Sequence, residues 1–233
     1  MKIKMNVNKL AAALSFAAVS MVASLGATAA EVTAIKGDNF EFSEANPAQT
    51  LMVRGDSFYN LTMGYKGWTH HSAWMHMRLN HGQMYRITAT ATDEFNGQKV
   101  LHPAIACWHR PQREGLVSTD YAYSHFYNQW EDIVDPNAVD EVTKQSLGQM
   151  KMYFIKNAYD RDGLTAQQMM DQYQQGNLVG ILDGQEGKVE ISFVPQVSGV
   201  YQCVVGGFNP EPPIDSGAAA AVKYPVEVSV TGF

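Results

Sequence analysis

The stretch from Met84 to Asp93, MYRITATATD, alternates without a break: Tyr85, Ile87, Ala89 and Ala91 fall on one side, Arg86, Thr88, Thr90 and Thr92 on the other. A period of two marks a strand with one face against a core and the other toward water. The chain must therefore build at least one half-buried sheet. Further runs rich in β-branched and aromatic residues, bounded by turn signals, cover Phe58 to Met63, Ala104 to His109, Lys188 to Phe193, Val200 to Val205 and Pro225 to Thr231. The segment FVPQVSGVYQCVV reads as a strand, a Pro-x-x-Ser-Gly turn and a second strand, in effect a hairpin. Together these runs predict a mainly β chain, an antiparallel β-sandwich of the jelly-roll or immunoglobulin-like kind.

The middle reads differently. Asp135 can cap a helix with Pro136 in its first turn, and Val139, Val142, Leu147, Met150 and Phe154 recur at roughly helical spacing. Thr165 with Gln168 makes a second, weaker capping box ahead of Met169 and Met170. The expectation is a helical insertion over about 116–180, between two strands of the sandwich. Asp160-Arg161-Asp162-Gly163 lacks the later acid of an EF-hand loop and reads as a plain turn. NPEPPIDSGAAAA is a surface loop before the last strand.

Residues 1–30 read as a signal peptide. Lys2, Lys4 and Lys9 form a basic start, Leu10 to Leu25 is apolar, and Ala27-Thr28-Ala29 is a small-x-small cleavage pattern. The expectation for the rest is one domain over 31–233, exported to the periplasm, the cell surface or the medium, with no membrane-spanning segment. Without Lys2, Lys4 and Lys9 the 17 basic residues fall to 14, against 23 acidic ones, a balance of −9. That sign argues against nucleic acid and anionic lipid as partners. Cys107 and Cys203 are the only cysteines. In an oxidising compartment their default state is a disulfide, with a pair of thiolate ligands as the rival.

Between Trp68 and His81 the chain reads WTHHSAWMHMRLNH and holds four of the seven histidines, two tryptophans and two methionines. Imidazole and thioether are good copper ligands, and thioether favours Cu(I). The bland alternative is an aromatic strand with partly solvated histidines. In an extended chain residues i and i+2 share a face, which pairs Trp68 with His70 and Trp74 with His76. A metal needs a further ligand from a distant part of the chain. His102 precedes a proline and suits a structural role. His109 adjoins Arg110, whose charge disfavours a cation. His125 lies among Tyr121, Tyr123, Phe126, Tyr127 and Trp130 and is the candidate second ligand.

The W-x-H unit with a distant histidine in an exported β-rich chain resembles the copper(I)-binding proteins of methane-oxidising bacteria, the MopE and CorA type, unrelated to the magnesium channel of the latter name. The similarity rests on Gly67 to His76 and on the strand pattern around LHPAIACWHR, about a third of the mature chain. That family holds copper with two histidines and a kynurenine, formed by oxidising the tryptophan two positions before the first histidine. The resemblance therefore implies Trp68 as the oxidised residue, His70 as first ligand and His125 as second, with Trp74 and His76 competing for the first position. It implies Cu(I) capture or storage for uptake, without turnover, and a copper-handling partner in the outer membrane or periplasm.

Enzyme readings have less support. There is no G-x-S-x-G, no H-E-x-x-H and no phosphate loop. A metal-free binding module, with exposed Trp and Tyr stacking on sugar rings or meeting a surface partner, is the alternative function.

Overall fold

The computed structural model describes residues 39–55, 57, 59–60, 65–66, 72–95, 98–99, 101–111, 131–139, 146–164, 179–209 and 223–233. The segment expected to be a signal peptide lies outside these. Fifteen strands follow one another among the described residues. They are β1 (Asn39–Phe42), β2 (Ala48–Arg54), β3 (Tyr59–Asn60), β4 (Tyr65–Lys66), β5 (Ala73–Leu79), β6 (Tyr85–Ala91), β7 (Glu94–Phe95) and β8 (Gln98–Lys99). Then come β9 (His102–Arg110), β10 (Ile133–Val139), β11 (Ser146–Asp160), β12 (Gly180–Ile181), β13 (Lys188–Phe193), β14 (Gly199–Phe208) and β15 (Lys223–Thr231).

Two sheets enclose the core. The larger runs β1-β5-β14-β9-β11-β10 with β12 beside β11, and the smaller runs β13-β6-β15-β2. Pairing is antiparallel within both, except that β1 lies parallel to β5 and β12 parallel to β11. The smaller sheet shows the expected alternation. Ile87 and Ala89 on β6, Val189 and Ile191 on β13, Leu51 and Val53 on β2 and Val226 and Val228 on β15 are all buried. They meet Met75, Met77, Ile105, Tyr201 and Val205 of the larger sheet in one cluster.

The larger sheet is buried on its other face too. Trp74, Ala106, Trp108, Ile133, Met152 and Val204 form a second cluster there. A strand covered on both sides has no need to alternate, which accounts for the continuous apolar runs of β9 and β14. Cys107 and Cys203 are directly opposite each other on these two strands and form a disulfide, with Cα atoms 4.1 Å apart. It sits in the core cluster between the sheets.

Two sequence expectations need correction. No helix appears among the described residues of the supposed insertion: 133–139 and 146–160 are strands. Asp135 and Pro136 lie on β10, an edge strand with a register shift between Asp135 and Ala138. A proline without an N–H is tolerated at such a site. Val139 lies on β10 and Leu147, Met150 and Phe154 on β11, two antiparallel strands, so their spacing is not the period of a single helix. Residues 165–178, with the second capping box, lie outside the described residues.

The segment FVPQVSGVYQCVV is not a hairpin either, since β13 belongs to the smaller sheet and β14 to the larger. Its turn carries the chain over the end of the sandwich. It is held there by the Gly82 N–H donating to the Pro195 carbonyl at 3.1 Å and the Tyr201 hydroxyl donating to the Val197 carbonyl at 2.9 Å.

The turn at Asp160-Arg161-Asp162-Gly163 is as expected, and its two carboxylates lock the sheets together. Asp160 is fully buried and accepts from His102 Nδ1 at 2.9 Å, Gly187 N–H at 2.7 Å and Asp162 N–H at 2.9 Å. Asp162 accepts from the backbone N–H groups of Asp183, Gly184 and Gln185. These bonds give the two carboxylates a structural role in the turn.

Removing one partner of a buried charged network leaves the others unsatisfied. Asp160→Ala is expected to lower the unfolding free energy by about 3 kcal/mol, read from urea denaturation; a change below about 1 kcal/mol would refute the lock. Replacing both Cys107 and Cys203 by Ala is expected to cost about 2–4 kcal/mol in the same assay.

Candidate metal centre

The histidine-rich segment leads into β5, whose start is fixed by polar contacts. Ser57 Oγ accepts the Gly207 N–H at 2.9 Å and donates to the Arg54 carbonyl at 2.7 Å. The Ser57 carbonyl in turn accepts from Ser72 Oγ. Trp68, His70, His71 and His125 lie outside the described residues, so the structure does not locate the first-choice ligand set.

The competing unit is placed. Met75, Met77 and Leu79 of β5 point into the core between the sheets, so Trp74, His76 and Arg78 face the opposite, outer side of the larger sheet. Register then defines the neighbours. One rung holds Glu41 on β1, His76, Gln202 on β14, Trp108 on β9 and Phe154 on β11. The next holds Arg78, Val200 and Arg110. Trp74 and Trp108 pack with ring centroids 6.1 Å apart, and Phe154 meets Trp108 edge-on at 6.3 Å.

These two indoles differ. Trp108 Nε1–H donates to the Glu131 carbonyl at 2.8 Å. Trp74 is 2% exposed, and its Nε1–H has no hydrogen-bond acceptor among the described residues.

His76 is half-buried. Burial pushes its pKa below the usual histidine value; Glu41 opposes this, and the guanidinium groups of Arg78 and Arg110 add to it. The ring is therefore neutral at physiological pH, the form in which imidazole binds metal.

Of the other described histidines, His81 is exposed in the turn after β5. His102 is buried and tied to Asp160, a structural role. His109 is stacked on Tyr153 at 6.4 Å and packs on Tyr201 at 5.0 Å, and burial lowers its pKa. Among the described residues no three His, Cys, Asp or Glu side chains come together as a metal cage. The sequence reading missed Glu41 and Gln202. Their place beside His76 follows from a parallel pairing and a cross-sheet register for which the sequence carries no local signal.

Two sheets around a buried disulfide, with an imidazole–indole face on the outer side of one of them, define a mainly β protein with one nitrogen donor, His76, on that face, while the thioethers of Met75 and Met77 point the other way into the core. The copper(I)-binding CorA-like family matches residues 30–215, and the chain belongs to that family. Among solved structures it is similar to CorA of Methylomicrobium album BG8, with 35% identity, a TM-score of 0.67, and 86% of this chain and 100% of that one covered. CorA is described as a surface-associated copper-binding protein important in copper acquisition. The secreted protein MopE of Methylococcus capsulatus, in which an oxidised tryptophan facilitates copper binding, is 18% identical with a TM-score of 0.60, over 83% of this chain and 87% of that one. At that identity the likeness is one of fold. No protein of curated function matches the chain. No helix among the described residues is long and apolar enough to cross a membrane.

Proposed function

We propose that the chain is an exported copper(I)-binding protein that captures copper at the cell surface or in the periplasm and passes it to a copper-handling partner for uptake. Copper is the cargo, and no turnover is required. Membership of the copper(I)-binding family carries this reading. In its first form the ion is held by His70 and His125, with Trp68 as third donor after oxidation to kynurenine. Two neutral imidazoles and one further nitrogen make a low-coordinate site, which suits Cu(I) better than the tetragonal preference of Cu(II). Intact indole has an N–H and no ligating lone pair, so Trp68 can serve only once its ring is opened.

One observation favours the competing form with Trp74 and His76: the two share the outer face of β5, and the buried Trp74 Nε1–H has no hydrogen-bond acceptor among the described residues. The half-buried His76, with its pKa lowered by burial, offers a neutral nitrogen donor of the kind copper accepts.

Titration of the mature protein with Cu(I) against a chromophoric chelator is the test. His125→Ala and one of His70→Ala or His76→Ala should weaken binding by more than about 100-fold, beyond what the loss of a supporting hydrogen bond costs. If His70→Ala, His76→Ala and His125→Ala all keep stoichiometric tight binding, the site is wrong. Peptide mass spectrometry of protein from its own host should show about +4 Da on Trp68 or Trp74 if that residue has become kynurenine. Two unmodified peptides would eliminate the third donor.

A further inference from the structure

The outer face of the smaller sheet carries a groove that copper binding does not use. It is an open depression of about 490 Å³, lined among others by Ala48, Thr50, Thr90, Glu227 and Ser229. Register sets Thr50, Glu227 and Thr90 side by side on one rung across β2, β15 and β6, with Lys188 of β13 at its end. Ala48, Ser229, Thr88 and Glu190 form the next rung. Leu51, Ala89, Val226 and Val228 alternate with these residues and fill the core, so the groove side chains stand outward. Ala48 has no atoms beyond Cβ, and that opens the floor. Other polar groups on this face are engaged: Thr88 and Arg86 both hold Glu190, Lys188 Nζ donates to Gln185, and Thr92 Oγ1 donates to the Pro225 carbonyl. The side chains of Thr50, Thr90, Glu227 and Ser229 have no hydrogen bond or ion pair among the described residues.

We propose that this groove binds a neutral saccharide and attaches the protein to polysaccharide at the cell surface. The attachment role rests on the reading that the chain is exported; the binding chemistry rests on the groove alone. Three hydroxyls around one carboxylate can both donate and accept, as the hydroxyls of a sugar do. An ammonium ligand only donates, and it would leave the threonine and serine O–H groups to compete for the single carboxylate. Lys188 and Glu227 flank Thr90 on the same rung, so their charges offset and the groove draws in neither cation nor anion. Its span across three strands, on the order of 10 Å, fits a short oligosaccharide. No aromatic side chain stands outward on this sheet, so recognition is by hydrogen bonds and a single site is weak. Repeats along one polysaccharide raise the local concentration of ligand and offset that weakness.

Neutral oligosaccharides released from the host's own surface polysaccharide, titrated into the mature protein and followed by NMR, test this, with spermidine as the cationic comparator. Saturable shifts centred on β2, β6 and β15 are expected. Glu227→Gln removes a charged acceptor and should weaken binding by about 10-fold, and Thr90→Val by about 5-fold. Both positions are on the surface, so the variants should fold normally. Arg86→Gln, outside the groove, should change the affinity by less than about 2-fold. Cu(I) affinity should stay the same in all three variants, which separates this site from the copper site. No saturable shift up to about 10 mM ligand, tighter binding of spermidine, or an unchanged affinity in both Glu227→Gln and Thr90→Val would overturn the proposal. Recovery of the chain from the cytoplasm of its host would instead sink the exported reading, and the attachment role with it, whatever the oligosaccharides do.

Discussion

The structure depends on the pairing of β9 with β14. These neighbouring strands lie inside the larger sheet and are buried on both faces, so they belong to the core between the sheets and to the outer aromatic cluster at once. The Cys107–Cys203 disulfide joins them at their centre. From that pair the sheet extends one way through β5 and β1, and the other through β11 and β10. The register of β14 against β5 sets Gln202 beside His76, and the register of β14 against β9 sets Trp108 beside Gln202. A slip of one residue in either pairing would turn every side chain to the wrong face, exchanging the aromatic outer cluster for core residues.

Chemistry and packing share the outer face. Trp74 and Trp108 bury large rings there, and His76 on the same face is half-buried, which lowers its pKa. A histidine whose pKa is lowered by burial loses metal affinity to protons only at a lower pH than a solvated one. The same burial makes charge placement consequential, because an ion pair or repulsion under partial cover is screened less than one in water. Membership of the copper(I)-binding family is the observation that points toward copper.

How much was legible depended on whether a strand had one wet face. Three of the four strands of the smaller sheet were readable almost residue by residue: β6, β13 and β15 lie close to where the pattern does, whereas β2 was missed. The central strands of the larger sheet were readable as apolar runs, without their faces. β11 was misread because the apolar residues that recur at helical spacing are shared between β10 and β11, and a bulge between Phe154 and Lys156 interrupts the period of two. The turn at Val194–Ser198 looked like a hairpin because local turn chemistry is the same whether the chain stays in its sheet or crosses to the other. Of the candidate site, Trp74 and His76 were identifiable as neighbours on one face from their spacing alone. Glu41, Gln202 and Arg110 were not, since they reach His76 through non-local pairings.

The amino-acid sequence by itself determined the residue types available for copper, the β character of the chain and the oxidised state of its two cysteines. These follow from side-chain chemistry, local periodicity and compartment, which require no knowledge of distant contacts. Tertiary structure alone decided that the central strands of the larger sheet, β9 and β14, are covered on both sides, that a parallel strand brings Glu41 to His76, and that Gln202 stands between His76 and Trp108. Each of those is a question of which strands pair and in what register. That is settled by burying two apolar faces at once, a condition the whole chain must meet together.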